Sequence, residues 1–62
     1  MTKENFLKMD DFMALSWINT KLRDEYCSLN FLCEDFHFDE ENVVDKFKRI
    51  DYIYIKEQNR FI

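Results

Sequence analysis

The chain has 62 residues, carries nine Lys and Arg against 13 Asp and Glu, and contains neither Gly nor Pro. This length allows one small domain, and the absence of Gly excludes the phosphate-binding loops that need a Gly-rich fingerprint. No stretch approaches the roughly 18 consecutive apolar residues of a membrane-spanning helix.

The first residues contain no apolar run followed by a small-residue cleavage site, so no secretory signal is predicted. The cytoplasm is therefore the expected compartment, and Cys27 and Cys33 are expected as reduced thiols. Hydrophobic residues make up 47% and aromatic residues 18% of the chain. Because large rings bury much area per residue, they are the main resource for so small a core.

A first helix is predicted over residues 11–26. Leu15, Ile18 and Leu22 recur at helical spacing, and Tyr26 continues the series. Asp10 or Asp11 can cap its start, since a carboxylate accepts hydrogen bonds from the free N–H groups there.

A second apolar stripe begins upstream of this helix. Four large apolar residues repeat at spacings of 3, 4 and 4, namely Phe6, Met9, Met13 and Trp17. Residues 1–9 are therefore either an extension of the first helix, back to about Thr2, or a flexible arm. The stripe exceeds what a three-helix core needs. It indicates either a core that wraps around the helix or a contact surface for a partner protein or a second copy.

A second helix is predicted over residues 29–36, with Ser28 as its cap and Leu29, Leu32, Cys33 and Phe36 as its buried side. A third helix is predicted over residues 40–50, with Asp39 as its N-cap. Its apolar positions are Val43, Val44, Phe47 and Ile50. Acidic residues begin this helix and basic residues follow, an order that suits the helix dipole.

The periodicity changes after residue 51. Residues 52–55 and 60–62 are rich in aromatic and β-branched residues, which predicts a hairpin around the loop 56–59. Asn59 tolerates the positive φ that such a loop needs. The expected fold is mainly α: three helices in a helix-turn-helix arrangement with a small C-terminal β-hairpin, similar to a winged helix.

This architecture invites a test of DNA binding. Five basic residues are candidates for phosphate contacts: Lys46, Lys48, Arg49, Lys56 and Arg60. However, a recognition helix presents its N-terminal residues to the major groove, and here these include Glu40, Glu41 and Asp45. Together with the net charge of −4, they disfavour nucleic acid as the partner. A solvated helix face also explains the basic residues.

Cys27, Cys33 and His37 are the only candidates for metal or nucleophile chemistry. Their spacing differs from that of zinc ligands, and no fourth ligand is evident. No third group that would orient a Cys–His pair is evident either. A buried thiol at Cys33, a partly exposed thiol at Cys27 and a capping or surface His37 are expected. Neither a cofactor nor enzymatic activity is predicted.

Ser16, Asn19 and Arg23 form a polar strip along one side of the first helix. Asn19 and Arg23 are candidate partner contacts. Internal hydrogen bonding is the alternative, with Arg23 paired to Asp24, Asp35 or a backbone carbonyl.

The run from Met13 to Tyr26, followed by Ser28-Leu29 and Leu32-Cys33, resembles a family of short bacterial proteins catalogued only as a domain of unknown function. Its most specific part is Ser16, Asn19 and the stretch 21–24, and residues 50–54 and 59–61 resemble the family's C-terminal end. The family pattern has Pro near position 11 and Gly near position 51, where this chain has Asp. The second departure argues against a tight turn after the third helix. The resemblance implies a bacterial or bacteriophage origin and a cytoplasmic protein, and brings no activity.

The function expected from the sequence is a non-catalytic protein interaction module or homodimer. The expected contact residues are Phe6, Met9, Met13, Trp17, Asn19 and Arg23. The alternatives are a winged helix-turn-helix DNA-binding protein and an acidic inhibitor that occupies a nucleic-acid site on a partner protein.

Overall fold

Four helices are followed by a two-stranded antiparallel hairpin in the computed structural model, which describes all residues 1–62. The elements are α1 (Lys3–Lys8), α2 (Asp11–Asp24), α3 (Leu29–Phe36), α4 (Glu40–Lys48), β1 (Tyr54–Ile55) and β2 (Arg60–Phe61). The expected mainly helical fold with a C-terminal hairpin is confirmed, but the helix count is four rather than three. The additional helix is α1.

Residues 1–9 form neither a flexible arm nor an extension of α2, because the helix breaks at Met9 and Asp10. The Asp10 carboxylate accepts hydrogen bonds from the N–H groups of Phe12 and Met13, both at 3.1 Å. A continuous helix would instead pair the Met13 N–H with the Met9 carbonyl, which here accepts a hydrogen bond from Lys46. The Asp10 carboxylate and the Lys46 ammonium group therefore stabilise the break between α1 and α2.

The remaining helix ends combine expected and unexpected features. The Ser28 hydroxyl caps α3, as predicted, by accepting a hydrogen bond from the Phe31 N–H at 3.2 Å. Asp39 has the N-cap position of α4 but makes no capping bond. Its carboxylate instead accepts hydrogen bonds from Lys3 at 3.1 Å and Asn42 at 3.4 Å.

The α4 helix ends at Lys48, two residues before its predicted end, because the chain turns at Asp51. Asp51 has a φ of 66°, and the N–H groups of Asp51 and Tyr52 return to the carbonyls of Lys48 and Phe47, both at 3.0 Å. The tight turn after this helix is therefore present with Asp in the left-handed position.

The predicted hairpin is confirmed, together with the positive φ of Asn59, which is 53°. Tyr54 pairs with Phe61 and Ile55 with Arg60. Ile53 and Ile62 exchange two further backbone hydrogen bonds, at 2.9 and 3.0 Å.

The core draws on all four helices, on the turn between α3 and α4, and on β2. Its twelve buried hydrophobic residues are Phe6, Ala14, Leu15, Ile18, Leu22, Leu29, Leu32, Cys33, Phe38, Val43, Phe47 and Phe61. Most of the predicted core positions are among them, and Tyr26, Phe36, Val44 and Ile50 are half-buried against it. The longest helix has 14 residues, and no helix combines the length and apolar character needed to cross a bilayer.

Candidate partner-binding surface

The predicted stripe of four apolar residues is divided between the core and the surface. Phe6 is 1% exposed, and Met9 and Trp17 are half-buried against the core. Only Met13 is freely accessible, at 65% exposure. The expectation that the whole stripe forms a contact surface is therefore corrected, because the break at Asp10 turns α1 so that Phe6 points inward.

Met13 is accompanied by a second exposed ring. Phe12 is 60% exposed, and the two residues are consecutive in the first turn of α2. Phe12 begins a helical row that continues one turn later at Ser16 and then at Asn19 and Arg23. The apolar pair thus adjoins the polar strip predicted from the sequence.

A groove of about 660 Å³ runs between this strip and the hairpin. Its lining residues are Ser16, Asn19, Thr20, Leu22, Arg23, Gln58, Asn59 and Arg60. No carboxylate lines the groove, although the chain carries 13 of them. This part of the surface therefore departs from the acidic character of the molecule.

Two asparagine amides hold the hairpin against α2 and form the floor of the groove. Asn19 donates to the Phe61 carbonyl at 3.2 Å and accepts from the Phe61 N–H at 2.9 Å. Asn59 donates to the carbonyls of Leu22 and Tyr26 at 3.0 and 2.9 Å. Asn19 therefore shapes the groove from inside the fold, and its amide is already engaged.

Two arginines line the groove. Arg23 donates from Nε and Nη2 to the Asp24 carboxylate at 2.8 and 3.1 Å, which is the internal pairing considered above. This hydrogen bond raises the pKa of Arg23 and lowers the pKa of Asp24. Arg60 donates to the Gln58 side-chain oxygen at 3.0 Å and forms no ion pair. It leaves this side of the groove positively charged.

One of the five basic residues predicted as phosphate contacts, Lys46, is buried. Lys46 is 3% exposed, and its ammonium group donates to the carbonyls of Leu7 and Met9 and to the Asp11 carboxylate at 3.2, 2.7 and 2.8 Å. Arg49 shares the same carboxylate at 3.1 Å. Lys46 is therefore unavailable to phosphate. Lys48, Lys56 and Arg60 are exposed outside these ion pairs.

Both cysteines are free, with Cys27 exposed and Cys33 buried. Burial, followed by the charges of Glu40 and Asp39, raises the pKa of Cys33 to about 11. His37 lies at the C-terminal end of α3 with a φ of 60°, and its N–H returns to the carbonyls of that helix. No group of three or more His, Cys, Asp or Glu side chains is placed to hold a metal ion.

A second groove, of about 520 Å³, has a different character. It is lined by Glu25, Tyr26, Cys27, Phe31, Glu34 and Asp35. Phe31 is 56% exposed among the carboxylates. The Tyr26 hydroxyl donates to Asp35, and this hydrogen bond raises the pKa of Tyr26 to about 12.

Sequence reasoning missed Phe12, Gln58 and Phe31 as surface residues. Phe12 lies outside both apolar stripes, yet its spacing from Ser16 and Asn19 shows that an aromatic ring begins the polar row. Gln58 belongs to the groove only because the hairpin folds back onto α2. That contact has no local signal in the sequence.

Residues 8–61 match the family described as Domain of unknown function (DUF4250). The chain belongs to this family, which confirms the resemblance to a short domain-of-unknown-function family. No curated protein and no solved structure shows significant similarity to the chain.

Proposed function

We propose that this chain is a non-catalytic protein interaction module of the cytoplasm, which binds a segment of another protein along the α2–hairpin surface. This surface comprises Phe12, Met13, Ser16, Arg23 and Arg60. The bound segment presents an apolar side chain to Phe12 and Met13 and a carboxylate to Arg60.

The observation that carries this proposal is the adjacent exposure of Phe12 and Met13 beside a groove without carboxylates. Aromatic and Met side chains are suited to protein contacts, because they offer large areas and Met adapts its shape. Arg60 supplies a guanidinium group that matches a carboxylate in geometry and charge. The net charge of −4 disfavours an acidic segment over much of the surface, whereas the groove has no carboxylate among its lining residues.

A peptide-display selection on the full chain tests the proposal. We expect enriched peptides that combine an apolar residue with Asp or Glu, and ¹⁵N chemical-shift changes confined to residues 12–23 and 58–60 when they bind. Phe12→Ser with Met13→Ser should weaken this binding at least about tenfold, as loss of a central hot spot does. Ile53→Ser, at an apolar residue of the hairpin that is 53% exposed, is the control. Selection of no peptide, or equal losses in both variants, would overturn the proposal.

A second candidate function rests on the groove around Phe31. An exposed ring among Glu25, Glu34 and Asp35 suits the Lys and Arg side chains of a basic surface, as an inhibitor that occupies a nucleic-acid site would require. Enrichment of Lys- and Arg-rich peptides in the same selection, with shift changes at Phe31, would favour this function over the first. Competition with DNA for the basic partner would then be the next measurement.

A more specific interpretation of this helical fold, as a helix-turn-helix, is supported by one feature. This feature is the three-residue connection between α3 and α4. DNA binding by this arrangement would rely on the remaining exposed residues, which are Lys48, Arg49, Lys56 and Arg60, and Arg49 is already paired with Asp11. With Lys46 buried and Glu40 and Glu41 in the first turn of α4, no observation favours DNA over protein. Retention on duplex DNA that weakens steeply as salt rises would reverse this preference.

A further inference from the structure

The aromatic pocket around Phe6 is built almost entirely by the rest of the domain. The Phe6 ring stacks on Phe38 at 4.9 Å between centroids and meets Phe47 edge-on at 5.9 Å and Trp17 at 5.8 Å. These three rings come from α2, from the turn before α4 and from α4 itself, and all lie within residues 8–61 of the family match. Phe6, whose ring fills the pocket, precedes the residues matched by the family.

The helix that delivers Phe6 depends on this pocket. Helix α1 has six residues, of which only Phe6 is buried. Because isolated helices shorter than about 12 residues are marginal in water, α1 gains its order from docking.

Only two residues separate α1 from α2. Met9 and Asp10 have extended backbone angles, with ψ of 147° and 135°, yet neither is a helix breaker. The stripe Phe6, Met9, Met13 and Trp17 also has the spacing of one continuous helix. The sequence therefore suits two arrangements of the same segment, a broken helix and a straight one.

A straight helix over residues 3–24 would be about 33 Å long, whereas the longest extent of the molecule is 27 Å. Its N-terminal end would project from the domain, and Phe6 would leave its own pocket empty. The ring that fits this pocket is then the Phe6 of another copy. Short hinge segments of this kind favour exchange of identical elements between copies.

We propose that two copies of the chain exchange α1, so that Phe6 of each fills the aromatic pocket of the other, with Met9 and Asp10 as the hinge. The broken form is held by the Asp10 capping bonds and by Lys46, which binds the carbonyls of Leu7 and Met9. This exchange uses a surface different from the α2–hairpin surface and does not depend on the proposed function.

Two variants of the hinge test the exchange in the full chain. Asp10→Ala and Asp10→Pro both remove the capping carboxylate, but only Ala permits a continuous helix. Pro is compatible with the broken form, because Asp10 has a φ of −50° and Pro fixes φ near this value and disfavours a helical residue before it.

After refolding from urea at concentrations from about 10 μM to about 1 mM, sedimentation velocity should show a dimer dissociation constant for Asp10→Ala at least about tenfold below that of Asp10→Pro, because Pro opposes the continuous helix. In a mixture of labelled and unlabelled Asp10→Ala chains, isotope-filtered spectra should show contacts between Phe6 and Phe38 of different chains. Folded variants with equal oligomeric states would overturn the exchange. So would a dimer whose Phe6–Phe38 contacts all lie within one chain.

Discussion

Lys46 shows how a single side chain can decide the path of this chain. Burying an ammonium group is costly unless it is paired and hydrogen-bonded, and Lys46 meets three acceptors. It also lies 5.8 Å from the centre of the Phe6 ring, where a cation is attracted to the ring face. One residue of α4 thus holds the end of α1 and the start of α2.

Replacing Lys46 should therefore destabilise the fold strongly. Lys46→Met keeps the apolar stem but leaves the carbonyls of Leu7 and Met9 without this donor and the Asp11 carboxylate with Arg49 alone. We expect the free energy of unfolding, measured by urea denaturation, to fall by about 3 kcal/mol. Lys48→Met removes an exposed Lys of the same helix and should change it by less than about 0.5 kcal/mol. Similar losses of unfolding free energy in both variants would show that the buried contacts of Lys46 contribute no more to stability than an exposed Lys does.

The same contact makes stability depend on pH. The hydrogen bond from Lys46 holds the pKa of Asp11 below its ordinary value of 3.8, because the ammonium group favours the charged carboxylate. Since the folded pKa is the lower one, the contribution of Asp11 is complete above the unfolded value. It is lost as the pH falls through the folded pKa.

Acidification from about pH 5 to about pH 2 should consequently lower the urea midpoint of the wild-type chain more than that of Asp11→Asn. The asparagine variant should be less stable than wild type at neutral pH and approach it in acid. Parallel pH profiles for the two chains would contradict this assignment.

At the scale of elements, the turns show how a chain without Gly adopts left-handed backbone. The three residues with positive φ are His37, Asp51 and Asn59, and these residue types are the non-Gly residues that tolerate it best. Asn59 is also engaged through its side chain, since it accepts a hydrogen bond from the Tyr54 hydroxyl at 2.6 Å. Asp51 makes no side-chain bond of this kind.

Asp51→Gly should stabilise the protein for this reason. Gly relieves the Cβ contact at a φ of 66°, and we expect a gain of about 0.5 kcal/mol. Asp45→Gly places the same substitution inside α4 and should instead cost about 0.3 kcal/mol, the difference in helix propensity between Asp and Gly. Thermal unfolding followed by circular dichroism measures both. A loss of stability in Asp51→Gly would show that the Asp51 side chain contributes more than its backbone strain costs.

At the scale of the whole molecule, Phe6 connects elements that are far apart in sequence. It contacts rings from α2, the α3–α4 turn and α4, and the core contains only twelve residues. A chain this short buries about 60% of its unfolded surface. One large cavity therefore affects the entire fold.

Phe6→Ala should lower the free energy of unfolding by about 3 kcal/mol or more, a large share of the total for a small domain. Phe12→Ala removes an equally large ring from the surface and should change the free energy of unfolding by less than about 0.5 kcal/mol. Chemical denaturation of the two variants checks the difference. Comparable effects would mean that Phe6 does not occupy a close-packed site.

The sequence alone was sufficient for most local features. The helix 29–36 follows from apolar spacing and the Ser28 cap, and the hairpin follows from its residue types and Asn59. These signals act over a few residues, so they need no knowledge of the rest of the chain. The motif around Ser16 and Asn19 was likewise enough to indicate the family.

Contacts between distant residues decided everything else. Lys46 reaches Asp11 across 35 residues of sequence, and Asn19 holds Phe61 across 42. The periodicity of α1 and α2 alone permits a continuous helix, and only the buried ammonium group and the Asp10 cap break it. The same long-range packing carries Phe6 inward and leaves Phe12 beside the groove, because a residue's exposure depends on which surface folds over it.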